Sequence, residues 1–573
     1  MKKLFLKLIT FSLCMSFLTS GVSADMLGTS TQGNARPQYS GIQARGVWHR
    51  PNASGRETSL DGICAVLDEM MASGINMVFL ETFYHGMTVF KTNLVPYYTG
   101  FEKYSYGEYP DYLSAFCAEA QKRGIEVHAW VESFYLGVNE NTSLIKYFPD
   151  WLLINENGKI NHTTEGANLG GYIFFDPANE NARAYLVKFY EELLTKVPGI
   201  SGLNLDYIRY PVSDFYAGTD TGYTKAAMSA FAEKYGLSLT EDTKTQDFKA
   251  QIRANSLVDE WTAYRAEQVT TFIGQVSQMV NQNHPECIIS IAVHPDIGNA
   301  YSQKKQDFVT WVKSGYIDVV TPMVYYYNAS QISSSLKTMM AKFDGVYCYS
   351  GLYTTYHDQS TGELGAHIDA SDGCGADGFV LFESVKTFFN PSSDYAGFLS
   401  ERYGADSKLT ALPHWSTDRL IRASSDIILQ QLIDNGADAE TCKHLEQEME
   451  RIALIGEETP QKLDATVKEI IELRDSQLAN IIGESCAADA KATMDELLEY
   501  LEVRKSRLSF KGYSKDADQP SEDSGTNDTE SENESIEPPS SPDASPKSFW
   551  EILKSIIDKI VNWFQDLFGI EKA

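Results

Sequence analysis

The chain has 573 residues and only eight cysteines, too few and too scattered for a disulfide scaffold. Cys14 lies in an N-terminal apolar run. The other seven, Cys64, Cys117, Cys287, Cys348, Cys374, Cys442 and Cys486, are an odd number and cannot all pair within one chain. None stands in a CxxC or other metal-like spacing, and most sit among apolar neighbours, so buried free thiols are expected. Basic charge is also scarce: 48 Lys and Arg against 78 Asp and Glu leave a net charge of −30. That balance argues against nucleic acid, which needs a basic surface, and gives no electrostatic help toward anionic lipid. No Gly-rich loop runs into Lys-Ser or Lys-Thr, and no GxSxG nucleophile elbow occurs. PGISG (198–202) precedes a strand instead of following one, so it is a turn and not a dinucleotide fingerprint. There is no HExxH pair. His49, His128 and His294 are dispersed along the chain, and no metal or cofactor is expected.

What is present divides the chain into segments. Lys2, Lys3 and Lys7 precede an apolar run from Leu8 to Leu18, and Val22-Ser23-Ala24 offers a cleavage site before Asp25. Residues 1–24 therefore read as an export signal, too short to span a bilayer comfortably, and the protein is expected to be secreted. Residues 25–43 are a polar linker. Residues 44–405 alternate strand-like and helical patterns, and a 43% hydrophobic composition is ample for one large packed domain there. Residues 415–512 have helical spacing of apolar residues among many charges and read as a bundle of three helices. Residues 513–547 are an acidic, Ser- and Pro-rich disordered linker. Residues 548–573 carry one amphipathic helix with Trp550, Ile557, Trp563 and Phe564 on a broad face, suited to cell-envelope or membrane-surface association.

Eight strands are predicted between residues 44 and 383. They are ARGVW (44–48), NMVFLE (76–81), IEVHAWVE (125–132), GLNLD (202–206), IISIAVH (288–294), IDVVTPMVY (317–325), GVYCYSG (345–351) and DGFVLFE (377–383). Strands alternating with helices give an α/β fold, a (β/α)8 TIM barrel. The span exceeds the roughly 250 residues typical of that fold. The excess falls after strands three and four, at 133–178 and 211–253, where long loops build a cleft on the catalytic face.

The strand ends carry the chemistry. GLNLD is an apolar strand that stops in Asp206, a charge with no packing reason to be there. On strand three His128, Trp130 and Glu132 share one face; on strand four Asn204 and Asp206 do; on strand five Ser290, Ala292 and His294 do. On strand eight Leu381 and Glu383 are assigned to the lumen against Val380 and Phe382. Glu81 ends strand two. Several carboxylates around one barrel mouth suit glycoside hydrolysis, in which one acts as acid and another as nucleophile or base. Asp206 is the first candidate, with Glu132 and Glu383 competing to be its partner. His49, Glu81, His128, Trp130, Tyr207, Arg209, His294 and Tyr325 are candidates to hold substrate, through hydroxyl contacts or ring stacking.

ARGVW, RGIEVHAWVE, FDPAN (175–179), GLNLDYIRYP (202–211), ISIAVHP and WVKSGYIDVVTPMVYY (311–326) occur in that order. Together they resemble the glycosyl hydrolase-like 10 family of secreted bacterial proteins. The resemblance covers about residues 44–390 and implies a TIM barrel acting on O-glycosidic bonds of a glycan, with cell-wall glycan a plausible substrate. It maps the family's Asp in the DYIRYP-type motif onto Asp206. The chain departs from the family at FLETF (79–83) and at His294-Pro295. The expectation is an exported glycoside hydrolase with a polysaccharide or oligosaccharide substrate. The rival is a non-catalytic glycan-binding surface protein on a degenerate barrel.

Overall fold

The structure, a computed structural model, describes residues 41–516 apart from 139–142, 355–358, 391–393, 405–410 and 458. The export signal, most of the first linker, the amphipathic helix and the acidic linker beyond residue 516 lie outside the described residues; residues 513–516, expected to open that linker, end the last helix instead.

Eight parallel strands close on themselves in sequence order. They are β1 (Ala44–His49), β2 (Met77–Tyr84), β3 (Glu126–Val131), β4 (Ile200–Leu205), β5 (Ile288–Val293), β6 (Val319–Pro322), β7 (Tyr347–Tyr353) and β8 (Gly378–Phe382). Each pairs with the next, and β8 returns to β1 through Ala44 opposite Gly378. This is the (β/α)8 barrel read from the sequence. Helices form between strands where caps and apolar stripes coincide. Ser59 accepts the Gly62 N–H at the start of Leu60–Ala72, which buries Ile63, Val66, Leu67 and Met70. Asp111 does the same for Tyr112–Lys122 through the Ser114 N–H.

Two apolar layers follow from the alternation of strand side chains. Outward-facing Val47, Val78, Leu80, Val127, Ala129, Leu203, Ile289 and Leu381 pack under the helices. Inward-facing Trp48, Met77, Phe79, Trp130, Ala292, Val319, Tyr349 and Val380 fill the lumen. Leu381 is thus on the outer side and Phe382 on the lumen side, the reverse of the expected phase for β8. The ladder ends with Phe382 opposite Tyr353. Glu383 lies beyond the last pair, so alternation does not constrain it and its polarity does not fix the phase of the strand. Gly202 on β4 is required by close approach: a Cβ there would come within 2.5 Å of His128 Nδ1.

The long loops fall where expected. The segment after β3 carries a small hairpin, Tyr135–Gly137 paired with Ile173–Phe174. The segment after β4 carries helices Lys225–Tyr235 and Thr245–Ala254, which pack Phe231, Phe248 and Ile252 around Trp261 of the following long helix.

Helices Thr417–Asp434, Ala439–Ala453, Pro460–Glu472 and Glu484–Asp516 follow the barrel, the third prolonged through a π turn at Leu473–Gln477. The sequence expectation was three helices. The fourth begins after Gly483, whose φ of +81° ends the preceding helix. Their apolar faces join the lumen residues in one continuous core, closing the barrel at the N-terminal ends of its strands. Arg507 ion-pairs with Asp318 just before β6, and Tyr500 donates to the Ile42 carbonyl at 3.0 Å. Among the described residues no helix is long and apolar enough to cross a membrane.

Candidate active site

With the bottom of the barrel closed, the C-terminal ends of the strands form the open face. Four carboxylates converge there from Glu81 in β2, Glu132 after β3, Asp206 after β4 and Glu383 after β8. Arg50, just past β1, ties two of them together. Its Nε donates to Glu383 Oε2 at 2.8 Å, and its guanidinium lies 3.4 Å from Glu81 Oε1. The same guanidinium sits over the Trp130 ring at 5.1 Å and the Tyr84 ring at 5.5 Å. Burial works against the Arg50 charge, but Glu81, Glu383 and Glu132 more than offset that and raise its pKa.

Asp206 makes no ion pair among the described residues. Its Oδ1 accepts the Tyr207 N–H at 2.7 Å and its Oδ2 the Trp130 indole N–H at 3.2 Å. Tyr207 has φ +48°, a left-handed conformation uncommon for a bulky residue, and this turn brings its own N–H back onto the carboxylate. Burial raises the Asp206 pKa while those two N–H groups and Arg209 and Arg50 oppose it. Glu132 is 3% exposed and, among the described residues, accepts only the His85 N–H, at 2.9 Å. Burial, then the charge of Glu81, hold its pKa well above the ordinary carboxylate range. Glu81 is equally buried and is pushed up to about 8, chiefly by burial. Glu383 keeps 17% of its side chain exposed.

The other expected residues divide by strand phase. Tyr207 stacks on Tyr135 at 4.6 Å and lies beneath the Arg209 guanidinium at 4.7 Å, while Arg209 is ion-paired with Glu165 at 3.0 Å. Tyr325 is half-buried at the mouth, 5.7 Å from Phe382. Trp130 is buried and serves as a donor to Asp206, not as an open stacking platform. His294 is part-exposed, with its Nδ1 3.3 Å from the Asp296 carbonyl.

Two expected substrate contacts are corrected. His49 is 0% exposed, with Nδ1 2.8 Å from Ser384 Oγ and Nε2 2.9 Å from Glu57 Oε1. It faces the outer layer because it alternates with inward-facing Trp48, and the same alternation carries Arg50 to the mouth. His128 points inward, but two residues deeper than Trp130, and its Nε2 meets Glu126 Oε1 at 3.0 Å. The three histidines considered as a metal set are therefore dispersed. Glu126, His128 and His414 do bring three ligand-type atoms within 4.8 Å, at the closed end of the barrel. There Glu126 already accepts from His128, His414, Trp415 and Arg419, which is the pattern of a hydrogen-bonded lock between barrel and bundle.

The geometry defines a glycoside hydrolase-type barrel: carboxylates and aromatic rings around one open mouth. The sequence profile of the family described as "Glycosyl hydrolase-like 10" matches residues 43–355, and the chain belongs to that family. It is 22% identical over 280 residues to "Glycosyl hydrolase DigH" of Escherichia coli (strain K12), covering 45% of this chain and 56% of the relative. It is 24% identical over 281 residues to "Glycosyl hydrolase YngK" of Bacillus subtilis (strain 168), covering 46% and 48%. The chain thus spans about half the length of either relative. Among solved structures, the catalytic domain of a β-amylase from Paenibacillus polymyxa overlays with a TM-score of 0.44 at 13% identity, covering 64% of this chain and 99% of that one.

Proposed function

We propose that this protein is an exported hydrolase of O-glycosidic bonds, with bacterial cell-wall glycan as its substrate class. The reading is carried by one observation: two carboxyls on adjacent strand ends sit in unlike environments. Asp206 has two N–H donors aimed at its oxygens, which oppose the rise that burial imposes and favour its ionised form over that of Glu132. Glu132 has a single donor and strong burial, the arrangement for a carboxyl that keeps its proton and acts as acid. Arg50 ties Glu383 at the end of β8 to Glu81 in β2, the strand beside β3. Membership of a glycosyl hydrolase-like family supports the reaction class.

The test is release of reducing ends from purified cell-wall glycan strands by the full chain. Asp206→Asn and Glu132→Gln are each expected to lower turnover by about 10²- to 10⁴-fold without lowering the urea midpoint. Undiminished turnover in Asp206→Asn refutes the assignment. Saturable glycan binding without any reducing ends establishes instead a binding protein on a degenerate barrel. Export predicts a mature chain beginning at Asp25. Envelope association through residues 548–573 predicts that a chain ending at residue 547 moves from the envelope to the soluble fraction, and unchanged partitioning rejects it.

A further inference from the structure

Beside the carboxylate cluster, between β1 and the loop that follows β2, lies a pocket of about 350 Å³. Its inner wall is formed by Arg50 and Glu81, which also belong to the cluster. Its outer wall is aromatic, with Tyr84, Tyr98 and Tyr104 around Met87. Asp206 is not part of either wall. The volume is at the small end of the roughly 300 to 1,000 Å³ range of small-molecule sites.

Backbone pairing fixes these rings in place. Met87–Thr88 pairs antiparallel with Phe83–Tyr84, turning the chain back from the end of β2. The Thr88 N–H then donates to Pro96 O at 2.9 Å and the Tyr98 N–H to Thr88 O at 2.8 Å. Tyr98 is thereby set against Tyr84, with ring centroids 5.9 Å apart and planes 28° from parallel. Phe101 braces Tyr98 edge-on at 5.2 Å. Arg50 lies over the other ring of the pair, Tyr84, at 5.5 Å. All three tyrosines keep part of their surface exposed. Burial raises the phenol pKa of Tyr84 and Tyr98, so both remain O–H donors at neutral pH.

Apolar ring faces combined with hydroxyl donors, a guanidinium and a carboxyl match one class of small molecule well. A pyranose ring presents an apolar C–H face to stack and a rim of hydroxyls to bond. Glu81 in the wall and a net charge of −30 disfavour a phosphorylated ligand. We infer that this pocket is a sugar-ring subsite, holding the glycan unit that neighbours the bond cleaved at Asp206. The inference rests on the glycoside-cleft reading above and deepens it by assigning Tyr84, Tyr98 and Tyr104 to substrate. Tyr84 ends β2, and Tyr98 and Tyr104 lie in the loop that follows.

The test is calorimetric titration of the full chain carrying Asp206→Asn, which keeps oligosaccharides intact. The probes are oligosaccharides of two to six sugars from cell-wall glycan, cellulose, mannan and starch. Adding Tyr98→Ala is expected to weaken binding of the longer oligomers of the recognised glycan by about tenfold, the effect of losing one stacked ring. The loss is expected to disappear for the oligomer too short to reach the pocket. Tyr98→Phe keeps the ring and is expected to bind within about twofold of its parent, which separates stacking from misfolding. If Tyr98→Ala binds every oligomer as its parent does, the subsite is refuted while the hydrolase reading stands. If no oligosaccharide binds either protein, the reading of the cleft fails and the subsite fails with it.

Discussion

Replacing Glu81 with glutamine is expected to flatten the pH dependence of stability and to stabilise the protein near pH 8. Glu81 is 3% exposed, inside a strand, with Arg50 at 3.4 Å as its compensating charge. Burial pushes its carboxyl up to about 8; Arg50 opposes this, while Glu383 and Asp206 add to it. The folded chain therefore keeps a proton that the unfolded chain releases near the ordinary value of 4.5. Stability from this group is fully present below that ordinary value and is lost as pH rises toward 8. One retained proton corresponds to a slope of about 1.4 kcal/mol per pH unit, and the whole window to no more than about 5 kcal/mol. Glutamine has nearly the same shape and does not titrate, so the difference between the two proteins reports Glu81 together with the part of the Glu132 shift that its charge causes. Urea unfolding at pH 5, 6, 7 and 8 measures it through the midpoint at constant m. The variant should gain on the wild type steadily across that range. A difference that stays constant with pH means that Glu81 is ionised in the folded state, and the argument from burial is then wrong.

Arg50→Ala removes the 2.8 Å contact to Glu383 and the charge beside Glu81. It is expected to lower kcat/KM by about 10²-fold or more and to move the basic limb of the pH profile upward; Arg50→Lys should recover part of the loss, and an unshifted profile counts against coupling through Arg50. His49→Ala is expected to cost roughly 1 to 3 kcal/mol in urea unfolding, because it strips partners from buried Glu57 and Ser384. Its KM should be unchanged in the folded fraction, and a raised KM at undiminished stability returns His49 to the substrate site.

The barrel was legible because its strands obey a simple rule: apolar faces alternate and the run stops in a polar residue at the open end. Asp206 stood out for that reason, as did Glu132 and Glu81. Arg50 was available to the same rule, since it shares a phase with inward-facing Trp48, but the more conspicuous His49 was chosen beside it. On β8 the alternation runs in the opposite phase, Leu381 outward and Phe382 inward, and Glu383 still reaches the mouth from beyond the last ladder pair. The aromatic pocket left no such trace. Tyr98 and Tyr104 lie in a loop without regular alternation, and two successive backbone pairings within residues 83–98 turn it back beside Arg50. Nothing in a local pattern records such a return.

The bundle makes the two ends of the barrel electrostatically unlike, and β3 carries the comparison within a single face. Glu126, His128, Trp130 and Glu132 all point inward along it. At the closed end Glu126 accepts from His414 Nε2 at 2.6 Å, His128 Nε2 at 3.0 Å, the Trp415 indole at 2.8 Å and Arg419 at 3.3 Å. Burial raises its pKa, but His414 and His128 more than reverse this and hold it well below the ordinary range. At the open end Glu132 has one backbone donor and is driven the opposite way. The same residue type on the same strand thus holds a lowered pKa where the bundle supplies partners and a raised one at the open end, where a single backbone N–H meets it among the described residues. Glu126→Ala is expected to cost about 3 to 5 kcal/mol, because it strands the donors that meet it in a dry interface. That stabilisation is present above the ordinary carboxylate pKa and is lost as pH falls through the lowered value. Glu132→Gln, by contrast, is expected to be neutral or mildly stabilising at pH 7 while turnover collapses. Urea unfolding of the two variants side by side decides the matter: if Glu126→Ala costs no more than Glu132→Gln, the division between a structural floor and a reactive mouth is wrong.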